Sequence, residues 1–118
     1  MNSIIKIKEN YIFRRAYRKG TGLVCPYAVI YVLGNRGNSV RLGITAGKKL
    51  GTAVSRNRAK RVITAAFRGC LPKLALGYDF VIVARSRILS ARSNQVENAF
   101  LKLFKEAELL NPNEKIVD

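Results

Sequence analysis

VRLGITAGKKLGTAVSRNRAKRVITAAFRGCLPKLALGYDFVIVAR, residues 40–85, carries a strand pattern, a helix pattern and a second strand pattern in that order. Between Val40 and Ala46 the residues alternate, Val40, Leu42 and Ile44 against Arg41, Gly43 and Thr45, the period of a strand with one apolar face. From Ala59 the apolar positions switch to helical spacing through Val62, Ile63, Ala66 and Phe67, which predicts an amphipathic helix that Gly69 can end. The run Tyr78–Arg85 is continuously apolar in its middle, as a strand covered on both faces would be. On the helical wheel Asn57, Arg61, Thr64 and Arg68 lie opposite the apolar stripe, flanked by Arg56, Arg58 and Lys60. The helix therefore has one dry face and one cationic face.

Working outward, NYIFRRAYRK at Asn10–Lys19 places Phe13, Ala16 and Tyr17 at i, i+3 and i+4, with Gly20 just past the expected helix end. Val24–Leu33 is rich in β-branched and aromatic residues and reads as one strand, with Pro26 near its start marking an edge or late entry. Alternation sends Tyr27, Val29 and Tyr31 to one face and Ala28, Ile30 and Val32 to the other. The GNRGNS stretch then predicts a turn, so that this strand and Val40–Ala46 form a hairpin. A last helix follows from Val96, Ala99, Phe100, Leu103, Phe104 and Ala107, with Ser93 as its N-cap and Pro112 closing it. With no repeat and no linker, residues 1–118 read as a single α+β domain, a mixed sheet with packed helices in the order α-β-β-α-β-α.

The charge narrows the partner. Formal net charge is +15, and the 69 residues from 10 to 78 contain fourteen Lys and Arg and no carboxylate. Such a field favours a polyanion, because each phosphate neutralised releases counterions. Membrane fits poorly: the apolar runs fall short of the roughly 20 residues that span a bilayer, and MNSIIKIKEN lacks the long apolar stretch of a secretory signal. Cys25 and Cys70 stand alone, without CxxC spacing, and no histidine exists to complete a zinc site or a thiol–imidazole pair, so a reducing cytoplasm is the expected compartment.

The side chains available for acid–base catalysis are few: the carboxylates are Glu9, Asp79, Glu97, Glu106, Glu108, Glu114 and Asp118. Asp79 borders a buried strand, where a turn or strand-entry role is expected, and no catalytic residue is assigned. GITAGKKLGT departs from a nucleotide-binding loop, since Gly43 and Gly47 are separated by three residues instead of four and Lys49 replaces the magnesium-binding hydroxyl. Two readings of it remain: backbone amides and ammonium groups converging on phosphate, or a tight turn with solvated lysines. The cationic helix face is more specific, because no carboxylate offers its arginines an i,i+4 partner, while Arg56, Asn57 and Arg58 combine charge with directional hydrogen bonds. Phe13 and Tyr17, surrounded by Arg14, Arg15, Arg18 and Lys19, and Tyr27 and Tyr31 on their strand, fit either core packing or stacking against unpaired bases.

The block GKKLGTAVSRNRAKRVITAAFR resembles the arginine-rich signature of the bacterial ribonuclease P protein component, and FRRAYRKG, the strand through Tyr31 and GYDFVIVAR extend the resemblance over nearly the whole chain. It implies a left-handed βαβ crossover in a fold similar to the second domain of ribosomal protein S5. It also implies a holoenzyme in which a catalytic RNA subunit removes the 5′ leader of precursor tRNA. Magnesium is then held mainly by that RNA, with no cofactor on the protein, no catalytic side chain, no membrane and no small-molecule substrate. By the same resemblance Phe13, Tyr17, Tyr31 and Arg41 line a cleft for the leader. Lys48, Lys49, Arg56, Asn57, Arg58, Lys60, Arg61 and Arg68 are implied to lie against RNA near the cleavage site. The family often has Phe at Tyr17, Ser at Gly47 and Arg at Thr64. A ribosomal or general RNA-packaging protein explains the charge equally well without leader discrimination, and a self-sufficient nuclease is the third reading.

Overall fold

The apolar run that begins at Tyr78 becomes the middle of a five-stranded sheet. In the computed structural model, which describes residues 3–111, the elements are β1 (Ile4–Lys6), α1 (Asn10–Lys19), β2 (Thr21–Val24), β3 (Ala28–Gly34), β4 (Val40–Thr45), α2 (Ala53–Cys70), β5 (Tyr78–Ala84) and α3 (Ser93–Glu106). The strand order is β1-β4-β5-β3-β2, with β4 parallel to both its neighbours and β3 antiparallel to both of its own. Pro112 and the two last carboxylates lie outside the described residues.

Strand alternation divides the interior in two. Ala28, Ile30, Val32, Val40, Leu42, Phe80 and Ile82 face α2 and α3 and form the main core with Ile63, Phe67, Phe100 and Phe104. On the other face Val81 is buried under Ile12 and Ala16 of α1 and Ile7, the residue after β1. The expected apolar stripe of α2 is the observed one: Ala59, Val62, Ile63, Ala66 and Phe67 are all buried. β5 is buried on both faces, which explains its lack of polar alternation. Among the described residues no helix is long and apolar enough to cross a membrane.

Several expectations are corrected. The predicted hairpin does not form, because β5 lies between β3 and β4. A strand apolar on both sides is satisfied only inside the sheet, and the intervening loop is long enough to step over it. The loop rests on the start of β5: Asn35 N–H donates to Gly77 O at 2.9 Å and Gly77 N–H to Ser39 O at 3.1 Å. Gly77 has φ +90° and would place a Cβ 2.6 Å from Gly37 O, so only glycine fits there.

The single strand read over Val24–Leu33 is two strands. Pro26, which has no N–H for a ladder, sits in the tight turn between β2 and β3, closed by Cys25 N–H donating to Ala28 O at 3.0 Å. β1 was not anticipated, three residues being too few to show a period. The helix order is otherwise as read, and α1 spans the predicted residues. Gly69 does not end α2, which continues to Cys70; a Cβ there would lie 1.9 Å from Glu97 Oε1, so the glycine makes a notch where α3 crosses. The N-cap of α3 is Arg92, not Ser93, and Gln95 Oε1 accepts its backbone N–H at 2.9 Å.

Candidate nucleic-acid interface

Where α1 crosses the sheet it buries Ile12 and Ala16 and leaves Phe13 and Tyr17 on its flank. Two cross-strand rows lie beneath that flank, Gly43–Val81–Tyr31 and Thr45–Val83–Val29. Phe13 lies directly against Gly43, where a Cβ would stand 2.6 Å from the ring's Cζ. The absent side chain is what lets the ring sit down on the sheet. Phe13 and Tyr17 are 6.5 Å apart between ring centroids, and Tyr17 meets Tyr31 edge-on at 5.2 Å. The Tyr17 and Thr45 hydroxyls share a hydrogen bond of 2.8 Å that ties α1 to β4. Phe13 and Tyr31 are half-buried and Tyr17 is 40% exposed, so the three rings form a wall with open faces and not a closed core. Tyr27 is elsewhere, packed against the main core.

A groove of about 310 Å³ connects this wall to the basic helix; Lys6, Phe13, Ile44, Lys60, Thr64 and Arg68 are among its lining residues. Lys60, Arg61 and Arg68 are exposed, as is Asn57, while Arg56 is half-buried. Thr64 Oγ1 donates to Lys60 O at 2.7 Å, so its hydroxyl is used within the helix. Lys48 and Lys49 stand exposed on a short 3-10 turn, Lys48–Leu50, anchored by buried Leu50 and followed by Gly51 at φ +103°. Thr52 then caps α2, its Oγ1 accepting Ser55 N–H at 3.2 Å.

Two expected RNA contacts also work inside the protein. Arg58 donates from Nε to Leu89 O and from Nη2 to Ala91 O, each at 3.3 Å, pinning the segment that leads into α3. Arg41 grips its cross-strand partner Asp79 with two prongs, Nε to Oδ1 at 2.6 Å and Nη2 to Oδ2 at 2.5 Å. Asp79 is 3% exposed, and Asn35 Nδ2 donates to its Oδ1 at 3.0 Å. Donating its hydrogen bonds to the Asp79 carboxylate raises the Arg41 pKa above its ordinary value, against the opposing effect of burial. Asp79 thus has a structural duty stronger than the strand-entry role read from sequence. This is the one salt bridge among the described residues, so the cations of α2 have no acidic partner there.

Comparison with known proteins identifies the family. The family model described as Ribonuclease P matches residues 1–108. The ribonuclease P protein component of Natranaerobius thermophilus is 37% identical over 113 residues, spanning 96% of this chain and 98% of the relative. The chain belongs to the ribonuclease P protein-component family. The solved RNase P protein of Staphylococcus aureus superposes with a TM-score of 0.77 at 34% identity, covering 90% of this chain and 97% of that one. The Thermotoga maritima RNase P protein gives 0.76 at 26% identity, with 86% and 96% covered. As a ribonuclease P protein component the chain is a subunit of a tRNA-processing ribonucleoprotein. Sequence reasoning missed Gly43, Thr45, Val29 and Val83 as parts of the wall and its floor. The outward-facing glycine in an otherwise regular alternation was the available signal for the first, but only strand register shows what it accommodates.

Proposed function

We propose that this subunit holds the single-stranded 5′ leader of precursor tRNA along the Phe13–Tyr17–Tyr31 wall while the cations of α2 and its preceding turn seat against the catalytic RNA. The observation that carries the reading is the groove joining Phe13 to Lys60 and Arg68. Stacking surface and uncompensated charge meet at one place, the combination that binds unpaired nucleic acid. The protein then acts by position, fixing the leader so that the scissile phosphate is presented to the RNA's active site.

Bond breaking falls to the RNA on this reading. Asp79 is committed to Arg41, and among the described residues no three His, Cys, Asp or Glu side chains converge. That donor set does not fit a magnesium site on the protein, and we assign the ion to the RNA. The reading places the work in the cytoplasm, where the free thiols of Cys25 and Cys70 stay reduced. The test is equilibrium binding of the protein–RNA complex to precursor tRNA and to the same tRNA without its leader. Tighter binding of the precursor, reduced by Phe13→Ala, supports the proposal. Equal affinities would favour a general packaging role.

A further inference from the structure

The outer face of α1 carries a second constellation that the cleft does not use. Ile12 and Ala16 point into the sheet and Phe13 and Tyr17 into the cleft; Tyr11, Arg14, Arg15 and Arg18 take the rest of the wheel at i, i+3, i+4 and i+7. Tyr11 is 62% exposed. Among the described residues no side-chain hydrogen bond or ion pair occupies Arg14, Arg15, Arg18 or Lys19. The helix dipole favours cations in the last turn, which accounts for Arg18 and Lys19 but not for Arg14 and Arg15. Like charges at i,i+4, as in Arg14/Arg18 and Arg15/Lys19, disfavour the helix, so its own stability does not explain this face.

A shallow concavity runs over it, lined by Tyr11, Arg14, Arg15, Tyr17, Arg18 and Lys19. Tyr17 belongs both to this surface and to the cleft wall, so the two are continuous. The sheet stands between α1 and α2, whose residues pack on opposite faces. The outer face of α1 is thus turned away from α2, and a strand leaving the cleft past Tyr17 arrives on it. From these observations we infer that the outer face of α1 binds the 5′-distal part of the leader, extending the grip once the strand is longer than the cleft. Arg14, Arg15 and Arg18 take phosphates and Tyr11 offers a ring to an unpaired base. This rests on the proposed leader role of the cleft.

The test uses the holoenzyme, assembled with its catalytic RNA, and precursor tRNAs with leaders of about 4 and about 12 nucleotides, within the range of single-strand binding sites. The Arg14→Gln/Arg18→Gln protein is compared with the unaltered one over a salt series. Loss of two phosphate contacts makes the log Kd–log salt slope shallower by about 1.4 for the long leader and leaves the short one unchanged. Tyr11→Ala weakens the long leader alone, and unchanged thermal melting shows that α1 is intact in both variants. Equal effects on both lengths would assign the surface to another RNA segment, and no effect on either would remove it from binding; each overturns the inference. If the unaltered holoenzyme fails to distinguish leader-bearing from leaderless tRNA, the cleft reading itself fails, a separate result.

Discussion

Gly43→Ala isolates the geometry on which the leader cleft depends. An added Cβ would stand 2.6 Å from Phe13 Cζ, 2.8 Å from Cε1 and 3.3 Å from Ile7 Cβ. Carbon atoms pack at about 3.5–4.0 Å, so the ring must retreat by about 1 Å. Overpacking of this kind costs about 1–3 kcal/mol, partly offset by the roughly 0.4–1 kcal/mol that Gly→Ala gives by restricting the unfolded chain. A net loss of about 1 kcal/mol in urea unfolding is expected. If a leader base stacks on Phe13, moving the ring forfeits up to about 1–3 kcal/mol of leader affinity, read as the Kd ratio for precursor and leaderless tRNA. The decisive assay is a double-mutant cycle with Phe13→Ala. Once the ring is gone the alanine's remaining close neighbour is Ile7 Cβ at 3.3 Å, so Gly43→Ala loses most of its cost and has no further effect on leader binding. Strict additivity in both stability and affinity would refute the claim that Gly43 acts through Phe13.

Other outcomes follow from the same contacts. Arg41→Ala leaves Asp79 buried with Asn35 as its remaining hydrogen-bond donor and is expected to destabilise by about 3 kcal/mol. Asp79→Asn is expected to do less harm, because Arg41, whose side chain is 32% exposed, can turn to water; chemical denaturation of both variants checks the order. Arg58→Ala loses two backbone contacts and should lower stability by about 1–2 kcal/mol as well as RNA affinity. Arg61→Ala removes an exposed side chain with no acidic partner among the described residues, and should lower RNA affinity with stability unchanged within about 0.5 kcal/mol. Burial pushes the Cys70 thiol up to about 12, Glu97 adding to the rise and Lys73 opposing it. The fold therefore favours the neutral thiol: that stabilisation is complete below its ordinary value of 9.0 and is lost as pH rises toward 12. Native protein at about pH 8 should resist iodoacetamide at Cys70, while unfolded protein reacts readily. If about six phosphates are neutralised on single-stranded RNA, log affinity should fall with log salt at a slope of about −4.

Helices and the central strand were legible because their information is local. Val62, Ile63, Ala66 and Phe67 repeat at helical spacing whatever they pack against, and a strand buried on both faces must be apolar throughout. Strand pairing is not local. Nothing between Val24 and Ala46 says that β5 will insert between β3 and β4, and three residues of β1 carry no usable period. The α2 cations could be identified from the missing carboxylates, yet Arg58 also holds the Leu89–Ala91 backbone and Arg41 also holds Asp79, contacts that span 31 to 38 residues of chain. The aromatic residues presented a different ambiguity. Spacing cannot tell a core ring from a stacking ring, and only the glycine beneath Phe13 and the open face of Tyr17 show how each is held.

Precursor cleavage with each component alone and together tests the division of labour most directly. The purified protein is incubated with precursor tRNA at low magnesium, and catalytic RNA is then added. The account requires no cleavage by the protein alone and accurate 5′ cleavage once both are present, faster than with RNA alone. Specific 5′ cleavage by the protein without RNA would contradict it.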